Sequence, residues 1–296
     1  MSRIRRIAIL LHERQRDALS WPYRIWAMAR LWERWGIEVE PVWGVDRPIQ
    51  ADLLIPHIDL SYIPDEYWQF MQQFPGPVVN RRVRDIRKRA FSTLLVKPGD
   101  GYDGPVIVKT DLNNGGHAER RILGEGMPAG FIEKMKFKLR RRAGAERSRL
   151  ASARSLSRYH VFEKVTEVPR GVFDNPSLVV ERFVPERCDG RYKVRLHTFF
   201  GDREQGRTYS SVDPFIKARQ TAPGERATAP DEIRQWRARL GLDYAKLDYV
   251  IHEGRAQLLD INLAVGFTRE IDERRVQMSF NLAQGISFFE NAGAGM

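Results

Sequence analysis

Near the end of the chain, two acids and an amide have the types and spacing of a cation site. Leu247-Asp248-Tyr249-Val250-Ile251 leads through Glu253-Gly254 into Leu258-Leu259-Asp260-Ile261-Asn262. The runs Tyr244 to His252 and Arg255 to Ile261 predict a hairpin closed at Glu253-Gly254. Side chains alternate between the faces of a strand, so Asp260 and Asn262 point the same way and Asp248 can lie opposite them. Three hard oxygen donors then converge. That suits Mg²⁺, which completes its shell with phosphates and water. Both acids sit among apolar residues, where a lone carboxylate is costly to bury.

Two further patterns carry chemistry less specifically. Val106-Ile107-Val108-Lys109-Thr110 presents a lysine at a strand end, and Asn113-Asn114-Gly115-Gly116 follows it. A Gly-Gly loop lets backbone N–H groups approach phosphate oxygens, although many strands end in a lysine before a glycine turn. Leu178-Val179-Val180-Glu181-Arg182-Phe183-Val184-Pro185-Glu186 reads as a buried strand with an extended exit. Its bare backbone groups could meet a planar base and Glu186 could accept ribose hydroxyls. A core strand with a charged exit has the same pattern.

The elements that must position these groups begin with a strand at Arg5 to Leu11. A helix over Ser20 to Gly36 follows, with Ser20 as cap, Pro22 in the first turn and Gly36 as the stop. Val39 to Trp43 and Asp52 to Ile58 predict strands, Pro64 to Phe74 a helix, and Pro77 to Val79 a short strand. This rhythm is that of an open α/β sheet. No Gly-x-Gly-x-x-Gly follows the first strand, so the dinucleotide fingerprint is absent. A boundary is expected near Asn80–Arg84, followed by a helix over Asp85 to Val96. Gly104 to Lys109 predicts a strand, Asp111 to Gly130 a loop, Phe131 to Leu156 a basic helical stretch and Tyr159 to Val168 an extended segment. Ser177 to Val184 and Tyr192 to Phe200 predict strands. Ala222 to Asp231 reads as a loop, and Asp231 to Leu240 and Gln277 to Phe289 as helices.

With 296 residues the chain is long enough for two domains, or one with a large insertion. Hydrophobic residues at 42%, charged residues at 29% and a mean hydropathy of −0.47 indicate a soluble globular protein. Cys188 is the only cysteine, which excludes a disulfide scaffold and fits a reducing compartment. No apolar run approaches the ~18 residues of a membrane span. Ile7 to Leu11 is too short for a secretory core, so a cytoplasmic protein without membrane contact is expected. The net charge is +11, but ten basic residues against Glu146 give Lys134–Arg158 +9, leaving +2 for the rest. Such a segment suits a docking patch, a lid over an anionic ligand, or a solvated helix face. It lacks the interleaved aromatics of a single-strand nucleic-acid platform.

In their order, these pieces resemble the ATP-grasp superfamily over about residues 81–296. The glutathione synthetase and RimK-type glutamate ligases and D-alanine–D-alanine ligase have similar patterns. The resemblance implies an α/β fold in which two α/β lobes clamp a nucleotide. Residues 1–80 would form a pre-ATP-grasp domain, about 92–180 the small lobe and about 181–296 the C-terminal lobe. It implies ATP, with Lys88 (in Asp85-Ile86-Arg87-Lys88-Arg89) and Lys109 on the phosphates and Gly115 and Gly116 in the lid loop. Glu181, Arg182 and Val184 would form the adenine hinge, with Glu186 as the ribose acid and Asp189 as its rival. Arg195, in Tyr192-Lys193-Val194-Arg195, would meet charge on the transferred group, and Lys217 and Arg219 would lie near an acyl phosphate. Asp248, Asp260 and Asn262 would hold Mg²⁺, or Mn²⁺ in its place. Asp260 stands where the family usually has Glu, one methylene longer, and 111–158 is longer and more basic than the usual lid region.

The activity so implied is an ADP-forming ligase that joins a carboxylate to an amine, or to a thiol, through an acylphosphate. Its substrates would be small molecules or peptides. Two rivals are an ATP-binding protein weakened in turnover and an RNA-dependent ligase that uses Lys134–Arg158 on an anionic partner. His57 and Asp59 stand at a strand edge where open α/β sheets bind ligands, and Arg269 could hold a substrate carboxylate. A satisfied loop hydrogen bond is the plainer reading of His57 and Asp59. His197 reads as structural and Cys188 as incidental.

Overall fold

The computed structural model describes residues 4–124, 149–154, 156, 159–216 and 224–292. The chain divides into two compact units, one of residues 1–85 with 185–296 and the other of residues 86–184.

The first unit opens with β1 (Arg6–Leu11), α1 (Arg24–Arg34), β2 (Glu38–Trp43), β3 (Leu53–Pro56) and α2 (Asp65–Gln73). The strands form a parallel sheet in the order β2-β1-β3. The short strand expected at 77–79 is a single bridge from Leu54 to Val78. Ile25, Met28, Leu31 and Trp32 recur at helical spacing and are the buried face of α1. The helix starts at Arg24 rather than at Ser20. Tyr23 bridges Gly266 and the Arg24 N–H donates to Val265 O at 2.7 Å, which holds the preceding residues out of the helix. Ser20 Oγ donates instead to Asp17 O at 2.7 Å.

In the second unit, the helix expected over Asp85 to Val96 is one turn, α3 (Lys88–Phe91). The residues after it pair instead: Leu95 bridges Glu181 and the Val96 N–H donates to Val180 O at 2.9 Å. β4 (Val106–Thr110) follows. The expected loop contains a 3₁₀ turn at Asn113–Gly116 and α4 (His117–Leu123). Then come β5 (His160–Phe162), α5 (Arg170–Phe173) and β6 (Leu178–Arg182). The antiparallel sheet β5-β4-β6 buries Val106, Val108, Leu178 and Val180 against Val96 and Val172.

The chain re-enters the first unit through β7 (Glu186–Cys188), β8 (Arg191–Phe200), β9 (Arg203–Ser211), β10 (Glu225–Ala227), α6 (Asp231–Leu240), β11 (Tyr244–His252) and β12 (Arg255–Asn262). These strands form an antiparallel sheet, β10-β9-β8-β11-β12, with β7 also on β8. Where one closing helix was expected there are three, α7 (Glu273–Met278), α8 (Phe280–Ala283) and α9 (Ser287–Ala292). Gly285 sits in the break, where a Cβ would collide with the Phe200 carbonyl. One core joins both stretches of this unit: Ile7, Ile9 and Leu11 with Trp32, Phe200, Tyr244, Leu282 and Phe289.

Asn80 pins the two stretches together. At φ 57° it donates from its N–H to Asp243 Oδ2 (2.8 Å) and from Nδ2 to Tyr244 O (2.7 Å). Its Oδ1 accepts from the Asp243 and Tyr244 N–H groups at 2.7 and 3.0 Å. The start of β11 is thereby fixed. Among the described residues no helix is long and apolar enough to cross a membrane.

Candidate functional site

β11 and β12 bring the three oxygen-bearing residues onto one sheet face. Asp248 pairs directly with Asp260, and Lys246 with Asn262. Beyond Asp248 the register shifts: Tyr249 pairs with Leu258, so Leu259 is an extra residue on β12. Such a bulge twists a strand and re-aims its side chains, here beside the acid pair. Asn262 Oδ1 is buried and accepts no hydrogen bond among the described residues. Asp260 Oδ1 accepts from the Ile261 N–H at 3.1 Å. Lys246 Nζ lies 3.1 Å from Asp248 Oδ1 and 3.3 Å from Oδ2. Burial pulls the Lys246 ammonium down, but Asp248, with its hydrogen bond, and Asp260 outweigh it, and its pKa is raised. Two carboxylates and an amide oxygen fit a hard divalent cation. Among the described residues no group of three or more His, Cys, Asp or Glu does so, so the amide is needed to complete the set.

The opposite face of the same sheet carries Arg195. It pairs with Tyr249, one step from the Asp248–Leu196 pair, and so points away from the acids. Its Nη2 lies 2.6 Å from Glu186 Oε1 and its Nε 3.0 Å from Oε2. Glu186 Oε2 also accepts from the Ile251 N–H at 2.7 Å. Burial raises the Glu186 carboxyl, but the hydrogen bonds from Arg195 and Ile251 bring it below its ordinary range. The geometry therefore joins Arg195 to Glu186 and does not join it to Asp248 and Asp260. Arg207 and Arg226 do lie on the acid-bearing face, in the cross-strand row Asp260–Asp248–Leu196–Arg207–Arg226. His197, two residues along β8 from Arg195 and on the same face, is buried 3.6 Å from Glu204, with its pKa lowered to about 4 by burial against the pull of Glu204.

The second unit gathers the other predicted charges. Lys109 on β4 and Glu181 on β6 share a sheet face, and Lys109 Nζ lies 2.7 Å from Glu181 Oε2 with both side chains buried. Lys88, 1% exposed, donates from Nζ to Leu112 O at 3.3 Å. Arg89 is held to Asp111 by its backbone N–H at 2.8 Å. Asn114, Gly115 and Gly116 all have positive φ, at 45°, 67° and 70°, a run that glycine accommodates without Cβ strain. Of the hinge residues, the Arg182 N–H is already committed to Leu94 O at 2.8 Å. Val184 is the last residue of this unit.

Lys217, Arg219 and most of Lys134–Arg158 lie outside the described residues. Asp189 has φ 52° and is exposed, Arg269 is exposed, and Cys188 is an exposed free thiol. Asp59 accepts from Tyr23 Oη at 2.7 Å. His57 is buried, neither ring nitrogen has a hydrogen-bond partner among the described residues, and burial lowers its pKa to about 3. Lys246 was not singled out by sequence, although it stands two residues before Asp248 and alternation alone puts it on the same face.

The chain is similar in structure to a RimK domain ATP-grasp protein from Sphaerobacter thermophilus. The identity is 12% and the TM-score 0.47, over 98% of this chain and 100% of that one. It is also similar to a D-alanine–D-alanine ligase from Bacillus anthracis complexed with ATP (12%, TM-score 0.45, 98% and 96% covered). A third similar structure is the macrocyclase MdnB from Microcystis aeruginosa (11%, TM-score 0.45, 96% and 99% covered). No family model matches the chain, and no curated protein matches it.

Proposed function

We propose that this chain is an ATP-dependent ligase that joins a carboxylate to an amine or a thiol, releasing ADP and phosphate. The observation that carries the reading is the acid-bearing face of β11 and β12, with Asp248 opposite Asp260 and the buried Asn262 Oδ1 without a donor among the described residues. On this reading those three residues hold Mg²⁺, or Mn²⁺, which would neutralise triphosphate charge when bound. Lys88 and Lys109 bind phosphate oxygens, Gly115 and Gly116 form the turn over them, and Glu181, Arg182 and Val184 flank the base. Glu186 accepts the ribose hydroxyls, and Arg195 acts through Glu186 by keeping its carboxylate ionised and oriented. Lys217 and Arg219 remain candidates for the acyl phosphate. Residues 1–80 form the pre-ATP-grasp domain and 81–296 the ATP-grasp domain.

In the chemistry proposed, a substrate carboxylate oxygen attacks the γ-phosphorus and ADP leaves. The amine then attacks the acyl carbon, phosphate leaves, and the amine loses a proton. Catalysis of this kind is positioning and charge stabilisation, with no side-chain nucleophile. The Lys246–Asp248 ion pair favours a second reading, in which nucleotide binds and turnover is weak because an ammonium already sits on the acid face. A screen of acids and amines with ATP, read by ADP formation and product mass, tests both. ADP with a product lighter than the two substrates by one water supports the ligase. ATP binding without ADP from any pair supports the second reading, and absence of ATP binding contradicts both.

A further inference from the structure

The sheet face that carries Asp248 and Asp260 ends in charge of the opposite sign. One row of side chains crosses it from β12 to β10: Asp260, Asp248, Leu196, Arg207 and Arg226. Asp248 directly opposes Asp260 at one end, and Arg207 directly opposes Arg226 at the other. Like charges directly opposed on adjacent strands destabilise a sheet, so both ends of this row carry a cost. Leu196 stands between them. The backbones of Asp248 and Arg207 are therefore two strand spacings apart, about 10 Å.

The arginine pair is not neutralised from within the sheet. Its neighbours on this face, Val194, Leu196 and Thr198 on β8 and Gln205 and Tyr209 on β9, include no carboxylate. Glu204 and Glu225 fall on the opposite face, where Arg234 holds Glu204 at 2.6 Å. Among the described residues neither arginine has an ion pair, and the one side-chain hydrogen bond of the two runs from Arg207 Nη1 to Gly224 O at 2.8 Å. Gly224 immediately precedes β10, so that bond draws the Arg207 guanidinium toward the outer strand and away from Asp248. A side chain at 224 would break the arrangement, since a Cβ there would lie 2.9 Å from Thr208 O and from the Tyr209 ring. Arg207 is half-buried and Arg226 exposed, so both guanidinium groups are open to a ligand. A charge on an edge strand discourages further pairing, which accounts for Arg226 on β10 but not for a second arginine facing it from inner strand β9.

We propose that Arg207 and Arg226 form an oxyanion subsite at the end of this face remote from the acids, and that it takes a second anionic group of the substrate, a carboxylate or a phosphate. Guanidinium groups bind both through paired N–H donors. The anion site stands on the strand register and the Arg207–Gly224 contact; its assignment to the substrate rests on the ligase reading.

The test is an NMR titration of the arginine Nε–H signals with inorganic phosphate and, separately, succinate, without nucleotide or divalent cation. The Arg207 and Arg226 signals are assigned by their loss in Arg207→Gln and Arg226→Gln. Both should shift saturably in the wild type, and each variant should weaken binding about tenfold or more. Arg226 is exposed, so Arg226→Gln carries the test if Arg207→Gln does not fold. Saturation by phosphate alone supports a phosphorylated substrate, by succinate alone a second carboxylate, and by both a subsite for either. No saturable shift at either arginine, or equal affinity in wild type and Arg226→Gln, overturns the proposal. So does an equal loss in Arg255→Gln, an exposed arginine beside the hairpin turn, because net charge would then account for the binding. Mn²⁺–ATP affinity should be unchanged in Arg226→Gln; a tenfold loss there would put the pair on the triphosphate and overturn its assignment to the substrate. A wild type that binds no Mn²⁺–ATP would count against the ligase reading, with the anion titration still deciding the subsite.

Discussion

Lys246 Nζ lies 3.1 Å from Asp248 Oδ1, on the face where Asp248 directly opposes Asp260. Directly opposed like charges on adjacent strands destabilise a sheet. The lysine relieves that repulsion, and a divalent cation bound there would compete with it for Asp248.

Replacing this lysine should therefore have opposite effects with and without metal. Lys246→Met is expected to lower stability by about 1 kcal/mol in chelator and to be stabilised more than wild type by Mn²⁺. Urea unfolding in EDTA and in Mn²⁺ measures both. A variant as indifferent to Mn²⁺ as a surface-lysine control would count against competition at this site.

The buried Lys109–Glu181 pair predicts a second asymmetry. Lys109→Met strands a buried carboxylate and should cost about 3–5 kcal/mol, whereas Lys109→Met with Glu181→Leu should recover most of that loss. A double-mutant cycle by urea unfolding tests it. Equal losses in the single and double variants would mean the two charges do not depend on each other.

Acid should destabilise the protein through its buried histidines. His57 and His197 have folded pKa values lowered to about 3 and about 4 from 6.5. Below 6.5 the unfolded chain binds the protons that the folded chain resists. The stability present above 6.5 is then lost as pH falls, by about 1.4 kcal/mol per pH unit for each histidine. His57→Leu should flatten that slope by one histidine's share between about pH 6 and pH 4. Parallel stability–pH curves for the variant and wild type would show that His57 is not protected from protonation.

Asn80 supplies three side-chain hydrogen bonds to the start of β11 from a left-handed backbone. Asn80→Ala should destabilise by about 2–4 kcal/mol, from the lost bonds and the strained φ together. Hydrogen exchange at the Tyr244 amide should accelerate correspondingly. Unchanged protection there would show that β11 is held by its sheet neighbours alone.

The hairpin of Asp248, Asp260 and Asn262 was legible because alternation and a two-residue turn are local signals. The bulge at Leu259 was not, since nothing in an apolar run marks an extra residue. β9 was missed because REQGRTYSS has almost no apolar character and owes its strand to pairing with β8. The helix expected at 85–96 fails for a tertiary reason, because Leu95 and Val96 pair beside β6. Spacing gave Arg195 a strand but not a face, and one register step separates the acids from the opposite side. The single core shared by residues from both ends of the chain depends on contacts that no local pattern encodes.

Mn²⁺ binding in the presence of ATP, followed by electron paramagnetic resonance, tests the account most directly. The wild type should bind Mn²⁺–ATP with the free-Mn²⁺ signal suppressed. Asp248→Asn, Asp260→Asn and Asn262→Ala should each weaken that binding by about tenfold or more, with native circular dichroism retained. Folded variants that bind Mn²⁺–ATP as tightly as wild type would contradict the assignment of this sheet face to a cation.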